Sequence, residues 1–144
     1  MKWLRAWIHS LRASSENLPQ HLERGRIGER AAAEYLQSQG MKVLVRNFVS
    51  KRGEIDLVLK DHECLIFAEV KARSSEKWNR PAAAVNQKKR RHLSMAALDY
   101  LKSIRNPEVK VRFDIVEVLL NQDEVREIRH LPNSFEMETP FRYR

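Results

Sequence analysis

Residues 53–59 read Gly-Glu-Ile-Asp-Leu-Val-Leu, and residues 67–71 read Phe-Ala-Glu-Val-Lys. Both stretches alternate in the manner of β-strands, and the polar residues 61–64 between them suit a turn. If Lys60 pairs with Leu65, the two stretches form an antiparallel hairpin whose side chains alternate between two faces. The sequence therefore predicts a β-hairpin.

The alternation gives the two faces of this hairpin different characters. One face is wholly apolar and is expected to meet the core; it carries Ile55, Leu57, Leu59, Ile66, Ala68 and Val70. The other face is apolar in its middle and charged at one end. A register change of one residue would scatter the charged set, so its position depends on this pairing.

The charged end of the hairpin gathers three acids and a lysine. The predicted register sets Asp56 opposite Glu69 and Glu54 opposite Lys71. Directly opposed carboxylates destabilise a sheet, whereas one or two carboxylates, with waters and a substrate phosphate, are the usual ligands of Mg²⁺. We therefore predict a site for Mg²⁺ or Mn²⁺ at this end. The alternative is a solvated face on which Lys71 and Arg73 form ion pairs with the acids.

Composition limits the classes of protein to which the chain can belong. Its 144 residues are 42% hydrophobic, which suffices for one domain with one core. The 27 lysines and arginines exceed the 19 acids, which gives a net charge of +8 and a pI near 9.9. This balance is typical of proteins that bind nucleic acid, although ribosomal and membrane surfaces also qualify. The single Cys64 excludes an internal disulfide framework and a cysteine-based zinc site.

The first residues, 1–12, are predicted to form a short amphipathic helix. Arg5 and His9 interrupt its apolar residues, so it lacks the long apolar core of a secretory signal. The sequence has no run near the roughly 20 apolar residues of a transmembrane helix, and we expect a cytoplasmic protein. Two interpretations of this helix remain: it packs on its own domain, or it is an arm that binds a membrane surface or a partner.

Periodicity and breaking residues predict the order helix, three strands, helix, strand, strand. The predicted segments are residues 24–39, 41–49, 54–60, 65–71, 86–104, 109–120 and 124–131. Strands joined by short turns are antiparallel, and the long second helix makes the following pairing parallel. We therefore expect an α/β fold with a mixed central sheet flanked by helices. It occupies one domain, residues 21–135, between an N-terminal helix and linker (1–20) and a C-terminal tail (136–144).

The chain resembles the YraN family of uncharacterised bacterial proteins in one motif: Gly-Glu-Ile-Asp-Leu, a short gap, and then Phe-x-Glu-Val-Lys. That family resembles the PD-(D/E)XK nucleases, which are restriction endonuclease-like and include the Holliday-junction resolvases. The resemblance covers about residues 25–135, and it implies the αβββαβ core of that superfamily. Further matching positions are Gly28-Glu29, Arg46-Asn47, Gln87-Lys88-Lys89 and Arg112-Phe113-Asp114.

The resemblance implies a role for individual residues. Asp56 matches the metal-binding aspartate of the superfamily, and Glu69 and Lys71 match its Glu-x-Lys pair. Glu29 matches the acid that resolvase-like members place on the first helix. Gln87 matches a polar residue that often accompanies the site at the start of the following helix. The implied activity is metal-dependent hydrolysis of phosphodiester bonds, with homodimerisation expected by analogy with enzymes that cut two strands.

Three neighbouring positions carry finer expectations. Glu54, opposite Lys71, either tunes that lysine or forms a plain cross-strand ion pair. Ala72 stands where relatives usually have Thr, which weakens a substrate contact there. Asp114, in an apolar strand, is interpreted as a structural acid bonded to Arg112; the alternative is a distant group that supports the site from behind its ligands.

The basic residues around the hairpin are candidates for phosphate contacts. They are Arg73, Lys77, Arg80, Lys88, Lys89, Arg90 and Arg91. Such contacts position a nucleic-acid backbone without reading its sequence, so a branched or double-stranded DNA would be recognised by shape. The alternative for residues 88–91 is a solvated helix face.

The sequence thus leaves three functions to compare. The first is a metal-dependent, structure-selective DNA endonuclease in recombination or repair. The second is a non-catalytic nucleic-acid-binding protein that retains the nuclease fold. The third is an interaction protein that uses its N-terminal helix and C-terminal aromatic residues to join a partner.

Overall fold

The computed structural model describes residues 19–74 and 85–143. The predicted N-terminal helix and two of the predicted phosphate contacts, Lys77 and Arg80, lie outside these residues. Within the described ranges, no helix combines the length and the apolar character that crossing a membrane requires.

The described residues form two helices and five strands in the predicted order. These are α1 (Gln20–Ser38), β1 (Lys42–Ser50), β2 (Gly53–Asp61), β3 (Cys64–Ser74), α2 (Gln87–Ser103), β4 (Lys110–Asn121) and β5 (Glu124–Phe135). The strands form one sheet in the order β1-β2-β3-β4-β5. The β3–β4 pair is parallel and the other three pairs are antiparallel. The predicted α/β class, with its αβββαβ order and mixed sheet, is confirmed.

Each face of the sheet is covered by one helix. Helix α2 is the crossover that connects the two parallel strands, β3 and β4. One core cluster packs under α1 and includes Leu36, Leu57 and Ile66. The other packs under α2 and includes Phe67 and Tyr100. The central strands therefore pack against a helix on each face, whereas much of β1 and β5 is exposed, and the charged side chains of the central strands lie beside a core.

The first helix approaches the sheet closely at a glycine. A Cβ atom at Gly28 would lie 2.9 Å from the Cβ atom of Ala72 on β3, which is closer than real contacts allow. A side chain there would push the helix away from the strand. Because Glu29 is the next residue, this contact brings an acid of α1 to the carboxyl-terminal half of β3.

The second helix begins at its predicted N-cap. The Asn86 Oδ1 atom accepts a hydrogen bond of 2.8 Å from the Lys89 backbone N–H, which satisfies one of the free donors at the helix start. Leu93, Ala96 and Leu101 lie on its buried side. The predicted amphipathic helix is confirmed, and its basic first turns extend past the end of the core.

One predicted core position is wrong. Ile55 packs in the cluster under α2 together with Val58, whereas Leu57 packs under α1. Residues three apart lie on opposite faces of a regular strand, so β2 is irregular between these positions. Opposite this point on β1, Asn47 has a left-handed φ of 53°, and it interrupts the extended backbone from which the alternation was inferred.

The end of the chain is more ordered than expected for a tail. Strand β5 continues to Phe135, and Met137 and Tyr143 pack against the core under α2. The Tyr143 hydroxyl donates a hydrogen bond to the Pro107 carbonyl. Residues 136–143 therefore cover part of α2, where a surface tail was predicted.

Candidate active site

The hairpin separates where its charged end begins. The predicted register is confirmed from Asp61–Cys64 to Leu57–Ala68, where the ladder ends. Beyond that pair, the Asp56 Oδ2 atom accepts a hydrogen bond of 2.7 Å from the Val70 backbone N–H. The Asp56 carboxylate therefore stands between the two strands as they diverge, in place of a backbone pairing.

The expected cross-strand pairs beyond this point are wrong as ladder partners. Asp56–Glu69 and Glu54–Lys71 are not paired backbones, because the β2–β3 ladder has already ended. Asp56 and Glu69 still interact through their side chains. Glu54 is exposed, and its charge acts on Glu29 and Asp56. Glu54 therefore adds its negative charge to that of the other acids.

The carboxyl groups of Glu29, Asp56 and Glu69, which come from three elements, interact with Asp56 in the middle. Glu29 on α1 interacts with Asp56 and with Asn47, and burial together with the Asp56 charge raises the pKa of Glu29 to about 7. Burial and the same charge raise the pKa of Glu69 to about 7, although Lys89 opposes the change. Burial also raises the pKa of Asp56, against the Val70 N–H and the Lys89 charge. The cluster thus carries more negative charge than its surroundings neutralise.

The donor set of this cluster is suited chemically to a hard divalent cation, since it offers carboxylate oxygens with uncompensated charge. Among residues 19–74 and 85–143, no three His, Cys, Asp or Glu side chains lie close enough together to hold one metal ion. A cation bound by Glu29, Asp56 and Glu69 would require these side chains to draw closer than they lie here.

Lys71 follows Glu69 on the same face of β3 and is half-buried. Burial and the charge of Arg73 lower the pKa of Lys71, while Glu69 and Glu117 oppose this change. A lysine between acids, with a lowered pKa, is suited to donate or accept a proton or to stabilise developing negative charge.

The four consecutive cations of α2 have different surroundings. The Lys89 Nζ atom lies 3.3 Å from the Glu69 Oε1 atom. The Arg90 Nε atom lies 3.2 Å from the Glu138 Oε2 atom, and the Arg91 guanidinium lies 5.7 Å from the centroid of the Phe141 ring. Lys88 is exposed. Lys89 and Arg90 therefore already have acidic partners within the protein.

Gln87, which the resemblance associates with the site, contacts the C-terminal segment. Its Nε2 atom donates a hydrogen bond of 3.1 Å to the Glu138 Oε1 atom, and the Glu138 backbone N–H donates to the Ser94 hydroxyl at 2.9 Å. The C-terminal segment thus fastens to α2 through Glu138. Arg73, the remaining described candidate for a phosphate contact, is half-buried on β3.

Sequence reasoning missed two residues near the site. Asn47 was noted only as part of a matching dipeptide, yet it interacts with Glu29. Glu117 on β4 is fully buried, and neither of its carboxylate oxygens has a hydrogen-bond partner. A signal for Glu117 exists in the sequence, because it is a lone acid within the apolar run Ile-Val-Glu-Val at residues 115–118.

Asp114 is a structural acid, as predicted. The Arg112 Nε atom donates to its Oδ1 atom at 3.0 Å, the His130 Nε2 atom lies 2.7 Å from its Oδ2 atom, and the Asn133 backbone N–H donates at 2.9 Å. Burial alone would raise the pKa of Asp114, but these bonds together hold it below its usual range.

Comparison with known proteins assigns the family. The model of "Uncharacterised protein family UPF0102" matches residues 28–118. A UPF0102 protein of Trichlorobacter lovleyi is 42% identical over 114 residues, 78% of this chain and 90% of its own length. Another, from Pelotomaculum thermopropionicum, is 37% identical over 77% of this chain and 93% of its own length. The matched region contains the hairpin and its acids, and the chain belongs to the UPF0102 family, the YraN family indicated by its motif.

Proposed function

We propose that this protein is a metal-dependent, structure-selective endonuclease that hydrolyses phosphodiester bonds of branched or double-stranded DNA in recombination or repair. One observation carries the proposal. The carboxyl groups of Glu29, Asp56 and Glu69 come from three elements and meet where β2 and β3 separate, with raised pKa values and a lysine beside them. Perturbed acids gathered in this way are typical of catalytic sites.

In this proposal Glu29, Asp56 and Glu69 hold Mg²⁺ or Mn²⁺. When bound, such a cation polarises the phosphodiester and lowers the pKa of a water molecule. Lys71 orients or deprotonates the attacking water, or it stabilises the negative charge that develops on the phosphate. Asn47 orients Glu29, and the Val70 N–H fixes the Asp56 carboxylate in one position.

Nucleic acid reaches the site over the basic start of α2. Lys88 and Lys89 are both exposed there, and Lys89 lies beside the acids through its ion pair with Glu69. A phosphate that approached Glu69 would meet Lys89 first, which favours a role of Lys89 at the scissile position. Contacts of this kind bind the backbone without reading bases, so substrate choice would depend on DNA shape.

The competing function is a non-catalytic nucleic-acid-binding protein. The basic start of α2 supports it as much as it supports the nuclease, because phosphate contacts bind a nucleic-acid backbone whether or not that backbone is cut. A protein that only binds DNA has no need for three crowded acids whose ionisation is opposed by burial. That cost favours the nuclease.

The test is cleavage of labelled DNA by the full chain. Wild type and Asp56→Asn are incubated with duplex, flap, single-stranded and four-way-junction DNA in Mg²⁺, Mn²⁺ or EDTA. We expect wild type to cleave at least one substrate, EDTA to abolish cleavage, and Asp56→Asn to lower the rate at least about 100-fold while DNA binding is retained. Asp61→Asn is the matched control, since it makes the same change on β2 at the hairpin turn and should leave cleavage unchanged.

Absence of cleavage on all substrates, with salt-sensitive DNA binding that Asp56→Asn does not alter, would favour the binding protein. Cleavage that persists in Asp56→Asn would place the activity elsewhere.

A further inference from the structure

Glu117 is a carboxylate buried in the middle of β4 without hydrogen bonds. The residue is 0% exposed, and neither carboxylate oxygen has a partner. The Arg129 Nη1 atom lies 4.0 Å from its Oε2 atom, which is beyond hydrogen-bond distance. Burial of an ionised carboxylate without hydrogen bonds is costly, so its presence requires an explanation.

The sheet places Glu117 between two cations. Lys71 on β3 is its partner in the parallel ladder, and Arg129 on β5 is its partner in the antiparallel ladder. Paired residues of neighbouring strands point to the same face. The three side chains therefore form a row across the sheet, with the buried acid in the centre and Lys71 at the end next to the candidate active site.

The same strand shows what a structural acid looks like. Asp114 is also 0% exposed, and it receives bonds from Arg112, His130 and the Asn133 N–H. Glu117, three residues later, has none of these. Its influence on its surroundings is therefore exerted through charge and not through hydrogen bonds, and this charge acts on Lys71.

We propose that Glu117 is a positioning residue, whose buried negative charge holds the ammonium group of Lys71 beside the carboxylates of Asp56 and Glu69. The inference rests on the proposed function, because it concerns how Lys71 is placed for hydrolysis. Without this counter-charge, the flexible lysine side chain would turn towards solvent. A displacement of a reacting group by about 1 Å can lower a rate on the order of 100-fold.

The first test does not require activity. Urea unfolding is measured for wild type, Lys71→Met, Glu117→Gln and the double variant. We expect Lys71→Met to lower the unfolding midpoint in wild type and to have little effect in the Glu117→Gln background, since the unpaired buried carboxylate makes the loss of Lys71 costly. The matched cycle replaces Arg129 by Met. Additive effects of Lys71→Met and Glu117→Gln, or stronger coupling of Glu117 to Arg129 than to Lys71, would overturn the inference.

The second test uses cleavage kinetics. We expect Glu117→Gln to lower kcat on the order of 10-fold to 100-fold and to leave KM within about twofold, because substrate contacts are untouched. Glu117→Asp, which keeps the charge, should recover part of kcat. The unfolding midpoint of Glu117→Gln should equal or exceed that of wild type, since a buried charge that has no hydrogen bonds is removed.

The outcomes separate this inference from the proposed function. Equal kcat values for wild type and Glu117→Gln would overturn the positioning role and leave the nuclease intact. If wild type cleaves no DNA, the proposed function fails, and the urea cycle alone then decides whether Glu117 holds Lys71.

Discussion

Two strands of the same sheet carry acids whose surroundings differ. On β4, Asp114 is fully buried and is bonded to Arg112, His130 and the Asn133 N–H. On β2, the half-buried Asp56 carboxylate accepts one backbone bond and has further acids beside it. The pKa of Asp114 is lowered, whereas the pKa of Asp56 is raised.

The difference separates an acid that stabilises the fold from the acids that we propose to form a site. Around Asp114 the protein supplies its own donors, and the ionised carboxylate is part of the folded structure. Around Asp56, in contrast, the neighbouring groups include the carboxyl groups of Glu29 and Glu69. Burial and the charge of Asp56 oppose the ionisation of both. A divalent cation from solution would stabilise the ionised form of such an arrangement, which motivates the proposed metal site.

The largest effect should come from the same substitution at the two aspartates. Asp114→Asn removes the charge between Arg112 and His130 and should lower the free energy of unfolding by about 3–5 kcal/mol. Asp56→Asn relieves repulsion and keeps an oxygen for the Val70 N–H, so it should change the free energy by less than about 1 kcal/mol. Urea unfolding of both variants at pH 7, in EDTA, measures the contrast.

Each variant is the control of the other, since the two changes are chemically identical. Equal losses at the two positions would show that Asp56 also serves the fold, and the comparison between the two groups would fail.

A divalent cation should act on one group of acids alone. At a concentration of 100 times its Kd, a ligand of the folded state stabilises it by about 2.7 kcal/mol. Thermal melting of wild type should therefore rise by several degrees in Mn²⁺ or Mg²⁺ relative to EDTA. Asp56→Asn should lose this increase, whereas Asp61→Asn, on the same strand, should retain it. An increase of equal size in Asp56→Asn would exclude the acid cluster as the binding site.

How far the sequence predicts this site depends on the range of the interactions involved. The register from Lys60–Leu65 to Leu57–Ala68 follows from alternation, because a strand has a side-chain period of two and one face must be apolar. The separation of the strands at Asp56 does not follow, since it involves the left-handed Asn47 on a neighbouring strand. Alternation alone continues the ladder and places Ile55 on the wrong face.

Long-range contacts explain the remaining differences. The basic run at residues 88–91 is visible in the sequence, but its partner Glu138 lies 48 residues beyond Arg90 and belongs to a segment predicted as tail. No local pattern indicates that Arg90 and Gln87 are bonded there. The sequence similarly indicates Lys89 as a phosphate contact, but it does not show that the fold places Lys89 beside Glu69.

The dependence of stability on pH should have opposite signs at the two groups. Glu29 and Glu69 have pKa values of about 7 in the folded protein against an ordinary value of 4.5. The folded state therefore retains protons that the unfolded chain has lost, and the free energy of unfolding falls as pH rises from 4.5 to 7. Asp114, with its lowered pKa, contributes stability above its ordinary value of 3.8 that is lost as pH falls through the folded value.

Urea unfolding between pH 4.5 and 8 in EDTA tests this sign. Glu69→Gln should reduce the decline by on the order of 1–2 kcal/mol, while the variant's stability at pH 4.5 should match that of wild type. A decline of the same size in Glu69→Gln and wild type would show that Glu69 ionises freely. Added Mn²⁺ should reverse the decline in wild type, because the cation binds the ionised acids.

The smallest effect should come from the lysine that partly neutralises the acid cluster. Lys89 is 44% exposed and lies 3.3 Å from Glu69, and ion pairs of this exposure contribute about 0.5 kcal/mol or less. Lys89→Gln should therefore raise the pKa of Glu69 slightly further, which NMR titration of the side-chain carboxyl carbon would detect. Lys88→Gln, one residue earlier and exposed, should not move it. A large increase in the pKa of Glu69 in Lys89→Gln would mean that the protein itself supplies most of the counter-charge. Asp114 and the acid cluster would then differ only in how completely the protein neutralises them.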